Sequence, residues 1–181
     1  GAAHQLSELF RDILTVSEID NDEVPHYEKK TSFDIASVAE DVVRAFRPKA
    51  DAKKIALTLG GHEHKAMLAG DPNEAKIILS KLVENAIKYT QKGHVTVEIK
   101  PHHDWIVISI EDSGMGIGSE DRQRLFKKFA RLDNKLTREV GGTGLGLYIA
   151  QSLARRNGGE VMLEHSTSKG SIFSLKLPLE K

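Results

Sequence analysis

Two glycine-rich stretches and one polar helix ridge hold the residues that could do chemistry. The first stretch is Gly141-Gly142-Thr143-Gly144-Leu145-Gly146-Leu147, directly ahead of an apolar-periodic run, Leu147, Ile149, Ala150, Leu153 and Ala154. A glycine inside a helix costs about 0.8–1 kcal/mol relative to alanine, so a cluster at a helix start implies close approach to the backbone. A helix N-terminus offers unpaired N–H groups and partial positive charge, which suit an anion such as phosphate. The plain alternative is a flexible loop leading into a core helix. The second stretch is Asp112-Ser113-Gly114-Met115-Gly116-Ile117-Gly118, where aspartate before glycine also serves as a turn former. The ridge is Lys81, Asn85, Lys88 and Tyr89, beside the apolar stripe Ala75, Ile78, Leu79, Leu82, Val83 and Ala86. Residues one turn apart share an edge. Such an edge is commonly solvated, but asparagine is a poor central helix residue, which singles out Asn85.

These residues need elements to position them. Leu6, Leu9, Phe10, Ile13, Leu14, Val16 and Ile19 predict an amphipathic helix over 5–19. So short a helix is marginal alone, so it must pack on something outside this chain or on a second copy. A polar run from Asp20 to Glu23 and Pro25 reads as a linker. A short strand follows near 30–33, then a helix over 35–46 with Asp34 as N-cap and a kink expected at Pro48. Strands follow at 55–59 and 67–69, with a turn at Gly60-Gly61-His62-Glu63-His64 read as a solvated loop because no further metal ligands accompany it. Asp71 and Pro72 are the N-cap and first residue of the ridge-bearing helix. Strands at 95–99 and 106–110 form a hairpin through Pro101-His102-His103-Asp104. A helix is expected over 120–129, then a polar segment over 131–140 as a candidate lid. The helix opened by the second glycine cluster ends at Asn157-Gly158-Gly159, a left-handed cap. Strands at 161–163 and 172–177 close the chain, joined by a turn over Ser166–Gly170.

Composition narrows the classes. The chain has 181 residues, enough for one domain with a sizeable core and a short appendage. Lys+Arg and Asp+Glu are equal at 26 each, which gives no support for nucleic-acid binding. There is no cysteine, so disulfides and thiolate metal sites are excluded. No apolar run approaches a membrane span, and no signal-peptide pattern is present. Gly1-Ala2-Ala3 is set aside as a cloning scar.

The order of the motifs resembles the ATP-binding catalytic domain of sensor histidine kinases, in the superfamily shared with gyrase, heat-shock chaperone and mismatch-repair ATPases. The resemblance covers residues 30–178. Glu84-Asn85-Ala86-Ile87-Lys88-Tyr89-Thr90 resembles the N box, and Asp112-Ser113-Gly114-Met115-Gly116-Ile117 the first glycine box. Leu125-Phe126-Lys127-Lys128-Phe129-Ala130-Arg131 resembles the F box, and Gly142-Thr143-Gly144-Leu145-Gly146-Leu147 the second glycine box. The helix over 5–19 is similar to the end of the dimerisation domain's second helix. His4, followed by Gln-Leu-Ser-Glu, lacks the acceptor's expected neighbours. The resemblance divides the chain into a partial dimerisation-domain helix and linker over 1–24 and a catalytic domain over 25–181.

The resemblance implies an α+β two-layer sandwich, a mixed, mostly antiparallel sheet packed on about three helices (the Bergerat-type ATP-binding fold). It implies that Asp112 accepts from the adenine amine, since a carboxylate only accepts. Gly114 and Gly116 would let the backbone pass near base and ribose, and Ile117 would join them in binding ATP. Asn85 would ligate Mg2+ through oxygen. Lys88 would place charge on the phosphates, Tyr89 would line the nucleotide, and Arg131 would reach the γ-phosphate. Gly142, Thr143, Gly144, Leu145, Gly146 and Leu147 would cradle phosphate, and Ser171 would hydrogen-bond near adenine. Lys81 stands where such kinases usually carry asparagine. It points to solvent or meets phosphate in place of metal, the first being favoured.

The implied function is transfer of the ATP γ-phosphoryl group to a histidine on a dimerisation domain, for relay to a response regulator. ATP or ADP and Mg2+ are the implied ligands. Partners would be the parent protein's dimerisation and histidine-phosphotransfer domain and a receiver domain, with no nucleic acid. The fragment would be monomeric, the parent homodimeric and the location cytoplasmic, with membrane anchoring of the parent left open. Alternatives are a nucleotide-binding regulatory or scaffolding module with altered metal dependence, and a serine kinase of the anti-sigma type, against which the helix over 5–19 argues.

Overall fold

The computed structural model describes residues 2–21, 31–63, 65–131 and 141–180. The expected linker after residue 21, the lid segment over 132–140 and His64 lie outside them. The elements run α1 (Ala2–Asp20), β1 (Thr31–Asp34), α2 (Ile35–Ala52), β2 (Ile55–Gly60), β3 (Met67–Gly70) and α3 (Pro72–Tyr89). They continue β4 (Gly93–His102), β5 (Trp105–Asp112), α4 (Ser119–Arg122), α5 (Gly146–Arg156), β6 (Glu160–Thr167) and β7 (Gly170–Pro178).

A five-stranded sheet has the order β2-β4-β5-β7-β6, with β2 parallel to β4 and the other pairs antiparallel. β1 and β3 form a separate antiparallel pair. Alternation decides which side of the sheet is buried. Val95, Val97 and Ile99 of β4 and Ile106, Ile108 and Ile110 of β5 all point inward. They meet the apolar stripes of α2, α3 and α5, centred on Val42, Ile78, Leu79, Leu82, Ile149 and Leu153. This is the expected two-layer sandwich, with α2, α3 and α5 as its three main helices.

Capping sets the helix starts. Asp34 accepts from the Ala36 N–H at 3.1 Å and also from the Ala66 N–H at 3.0 Å. Asp71 accepts from the Asn73 N–H at 2.8 Å, with Pro72 in the first turn. Such a cap is worth about 1 kcal/mol. At the other end of α3, Lys53 Nζ donates to the carbonyls of Ile87 at 2.6 Å and Lys88 at 3.1 Å, satisfying acceptors that helix geometry leaves unpaired.

Several sequence expectations are corrected. α2 passes through Pro48, which the sequence allows, and reaches Ala52, beyond the apolar stripe over 35–46. The 120–129 helix is cut to Ser119–Arg122, and turns carry the chain to Ala130. Phe129 there is 63% exposed and adopts φ 60°. The β4–β5 turn is only His103-Asp104, because Pro101 and His102 pair with Ile106 and Trp105. Ser166 and Thr167 belong to β6, so the turn into β7 is only Ser168-Lys169. α1 begins at Ala2 rather than at residue 5. One side of α1 packs on this chain itself: Leu9, Val16 and Ile19 touch the core, beside α5. Its other side leaves Leu6, Phe10, Ile13 and Leu14 exposed.

Candidate nucleotide-binding site

One cleft gathers nearly all of the expected site residues. α3 contributes Lys81, Asn85, Lys88 and Tyr89 from a single edge. β5 ends in Asp112, and the loop after it adds Gly116 and Ile117. Arg131, Gly142, Thr143, Gly144, Gly146 and Leu147 form the opposite lip, and Ser171 and Phe173 of β7 lie beside Asp112 in the sheet. Gly114 and Leu145 stand behind this wall. Gly114 packs on the Tyr89 carbonyl, where an added Cβ would lie 2.6 Å away. Leu145 is a core residue.

At one end Asp112 is buried. Its Oδ1 accepts the Gly114 N–H at 2.8 Å. Burial pushes its carboxyl above the usual carboxylate range and Glu111 adds to this, while the N–H groups of Gly114 and Ser171 and the charge of His94 oppose it. The loop after Asp112 is gripped by the β6–β7 hairpin. Ser166 Oγ accepts the Ile117 N–H at 2.7 Å and lies 2.8 Å from Ser171 Oγ, while Arg122 donates to the Ser166 carbonyl at 2.7 Å. Gly116 has φ +71°, and a Cβ there would lie 1.7 Å from the Thr167 carbonyl oxygen. Only glycine fits that approach.

The α3 edge beside that end is cationic. Burial pulls the Lys88 ammonium below its ordinary value, with Lys49 and Arg131 adding to this and Glu84 and Glu8 opposing it. Burial likewise pushes the Tyr89 phenol up, against Arg131. Lys88 Nζ sits 5.5 Å from the Tyr89 ring centre. Gly142, at φ +129°, passes so near that a Cβ would meet Lys88 Nζ at 2.2 Å. α5 begins with Gly146, and its first turn-closing bond runs from the Ile149 N–H to the Leu145 carbonyl at 2.9 Å. The preceding N–H groups of Gly146, Leu147 and Tyr148 therefore face the end of the helix without intrahelical partners.

The favoured expectation for Lys81 is overturned. It does not point to solvent. Its Nζ donates to Asp12 Oδ1 at 2.5 Å, while Asp12 Oδ2 accepts from Thr143 Oγ1 at 2.8 Å. Asp12, on α1, was missed as a site residue, as was Glu8, which also borders the cleft. A signal was present: Leu9, Asp12, Val16 and Ile19 share the 3-4-3 spacing of one helix face, so this carboxylate interrupts the stripe that packs on the core. Ser166 was missed because it was assigned to a turn.

Among the described residues no cluster of three or more His, Cys, Asp or Glu side chains could hold a metal ion. Mg2+ bound with a nucleotide needs only one or two protein oxygens, the remainder coming from phosphate and water. The Asn85 carboxamide, facing Gly146 across the cleft, fits that donor requirement.

Residues 70–181 match the family described as histidine kinase-, DNA gyrase B-, and HSP90-like ATPases. The chain is 34% identical to the sensor protein GacS of Pseudomonas syringae pv. syringae, over 98% of this chain and 20% of that protein. It is 29% identical to the signal transduction histidine-protein kinase BarA of Escherichia coli K12, over 99% of this chain and 20% of that protein. The chain thus spans about a fifth of the length of these relatives. Among solved structures, the histidine kinase AdeS of Acinetobacter baumannii aligns at TM-score 0.76 and 26% identity, over 99% of this chain and 81% of that one. Full-length ShkA in complex with AMPPNP shares the fold, at TM-score 0.84 and 24% identity, over 97% of this chain and 36% of that one. With the family match covering most of its length, this chain belongs to the histidine kinase-, DNA gyrase B- and HSP90-like ATPases, as an ATP-binding catalytic domain of the sensor histidine kinase type.

Proposed function

We propose that this chain binds Mg-ATP and transfers its γ-phosphoryl group to a histidine on a dimerisation domain of the parent protein, for relay to a receiver-domain aspartate. The observation that carries the reading is a single cleft with a buried carboxylate at one end and a glycine-and-cation lip at the other.

Asp112 accepts the exocyclic amine of adenine. Guanine would place a carbonyl oxygen against it, and an unpaired buried acceptor costs about 1–3 kcal/mol, so the site selects ATP over GTP. Gly116 and Ile117 hold the loop beneath the base, and Ser171 supports the same end through Ser166. Tyr89 lines the nucleotide. Lys88 and the N–H groups that open α5 bind phosphate oxygens. Arg131 reaches the γ-phosphate and stabilises charge as the phosphoryl group moves. Asn85 holds Mg2+, which supplies neutralisation of phosphate charge. The AMPPNP complex named for ShkA, which shares this fold, is in keeping with a nucleotide as the ligand.

The acceptor histidine lies outside this chain, so the isolated chain binds nucleotide without phosphorylating itself. The test is calorimetry with ADP and AMPPNP, with and without Mg2+, followed by phosphotransfer to a separately supplied dimerisation domain. Mg2+-dependent binding and transfer are expected. Absence of binding by folded protein would overturn the assignment.

A further inference from the structure

Asp12 sits where an anion belongs. Its side chain is 8% exposed, and both oxygens are engaged, Oδ1 by Lys81 Nζ at 2.5 Å and Oδ2 by Thr143 Oγ1 at 2.8 Å. Thr143 is the one hydroxyl of the glycine lip, and Lys81 lies about 12 Å along α3 from Tyr89, at 1.5 Å rise per residue. Tyr89 packs against the loop that follows Asp112. Lys81 and Thr143 therefore mark the end of the cleft remote from Asp112, where an extended nucleotide bound at Asp112 would place its last phosphate.

We infer that Lys81 and Thr143 form the subsite for the terminal phosphate of a nucleoside triphosphate, and that Asp12 is the anion that fills it when α1 is docked. The inference rests on the nucleotide reading above and adds a competition to it. A hydroxyl has one proton to donate, so Thr143 cannot serve Asp12 and a phosphate oxygen together. A phosphate brought beside a carboxylate this deeply buried also meets little water to screen their repulsion. Entry of a triphosphate thus expels Asp12 and loosens α1 from α5. A diphosphate ends one group earlier and leaves Asp12 in place. The domain then distinguishes ATP from ADP by the position of a helix that leads out of it.

Hydrogen exchange on the intact chain reads this directly. Saturating AMPPNP with Mg2+ is expected to speed exchange of α1 amides around Asp12 at least about ten-fold, since an undocked helix this short is marginal in water. ADP with Mg2+ is expected to leave them protected. Asp12→Asn, which keeps the shape and removes the competing charge, is expected to tighten AMPPNP about ten-fold, on the scale of a hydrogen bond to a charged group, and to change ADP affinity less than about two-fold. AMPPNP binding with α1 protection unchanged or increased would overturn the inference while the nucleotide reading stands, as would weaker AMPPNP binding by Asp12→Asn. Failure of wild-type protein to bind ADP would overturn the nucleotide reading, and the competition with it.

Discussion

Asp112 holds the loop that follows it, because its Oδ1 accepts the Gly114 N–H at 2.8 Å. The same carboxylate is buried, and burial raises its pKa. The folded chain therefore binds the Asp112 proton more tightly than the unfolded chain does. Stability falls as pH rises from the ordinary carboxylate value through the raised folded value, and the cost is complete only above that folded value. A charge kept in such a place at a cost to folding is a mark of function. Asp112→Asn should therefore lose ADP affinity by at least about ten-fold, as expected when an acceptor facing the adenine amine becomes a donor. Its melting temperature at pH 7 should equal or exceed that of the parent, because the asparagine oxygen can keep the Gly114 bond without the buried charge. Calorimetry and thermal unfolding of the same sample check both halves, and a folded variant with parental affinity would sink the assignment.

Gly116 and Gly146 both border the cleft but should respond oppositely to alanine. At Gly116 the backbone is left-handed and the new Cβ would meet the Thr167 carbonyl oxygen at 1.7 Å. The conformation alone costs about 1–2 kcal/mol, and the clash forces β6 and the Asp112 loop apart. Gly116→Ala should lose more than about 2 kcal/mol in urea unfolding. At Gly146 the nearest atom is Lys81 Cδ at 3.6 Å, an ordinary contact. Gly146→Ala in the first turn of α5 should be neutral to about 1 kcal/mol stabilising. It should nevertheless weaken AMPPNP binding, because the methyl group occupies space beside the α5 N–H groups.

The uneven legibility of the site has a physical cause. The Asn85–Lys88–Tyr89 edge was readable because helical spacing places residues three and four apart on one side, whatever packs there. Asp71 and Asp34 were readable as caps for the same local reason. The parallel pairing of β2 with β4 carries no such signal, since alternation is identical in either direction. The 120–129 helix failed through tertiary contact. The backbone of Phe129 and Ala130 lies against Gly144, where an added Cβ would stand 2.7 Å from the Phe129 carbonyl carbon, and Phe129 takes a left-handed conformation instead of continuing a helix. Lys81 was misjudged because its partner is 69 residues away in sequence. No local rule links α3 to α1.

Lys81 and Asp12 should show strong energetic coupling. Both side chains are less than a quarter exposed, so removing either leaves the other short of its partner in a poorly solvated place. A double-mutant cycle with Asp12→Asn and Lys81→Met should give a coupling of about 1–3 kcal/mol, the range for contacting charged groups that share hydrogen bonds. Chemical unfolding of the four proteins measures it. Additive effects, within about 0.5 kcal/mol, would show that α1 docks without this pair.

The far end of α1 should be sensitive to acid. Asp20 Oδ2 accepts from Lys128 Nζ at 2.5 Å and its Oδ1 accepts from Tyr148 Oη at 2.9 Å. The Lys128 bond and then the Tyr148 bond lower its pKa. For a depressed carboxylate, the stabilisation is present above the ordinary value and disappears as pH falls through the lower, folded value. The window therefore lies below about pH 4. The pair is open to solvent, so raising the salt concentration should weaken it as well. Following the Tyr148 ring resonances by NMR from pH 6 to pH 3 should show a shift confined to that window. Asp20→Asn should hold the ring at its acid-side position throughout. It should leave the thermal unfolding of the catalytic body unchanged, because the side-chain hydrogen bonds of Asp20 to that body, among the described residues, are those from Lys128 and Tyr148 on its surface. A shift that persists in Asp20→Asn would assign the titration to another group and remove Asp20 from the docking of α1.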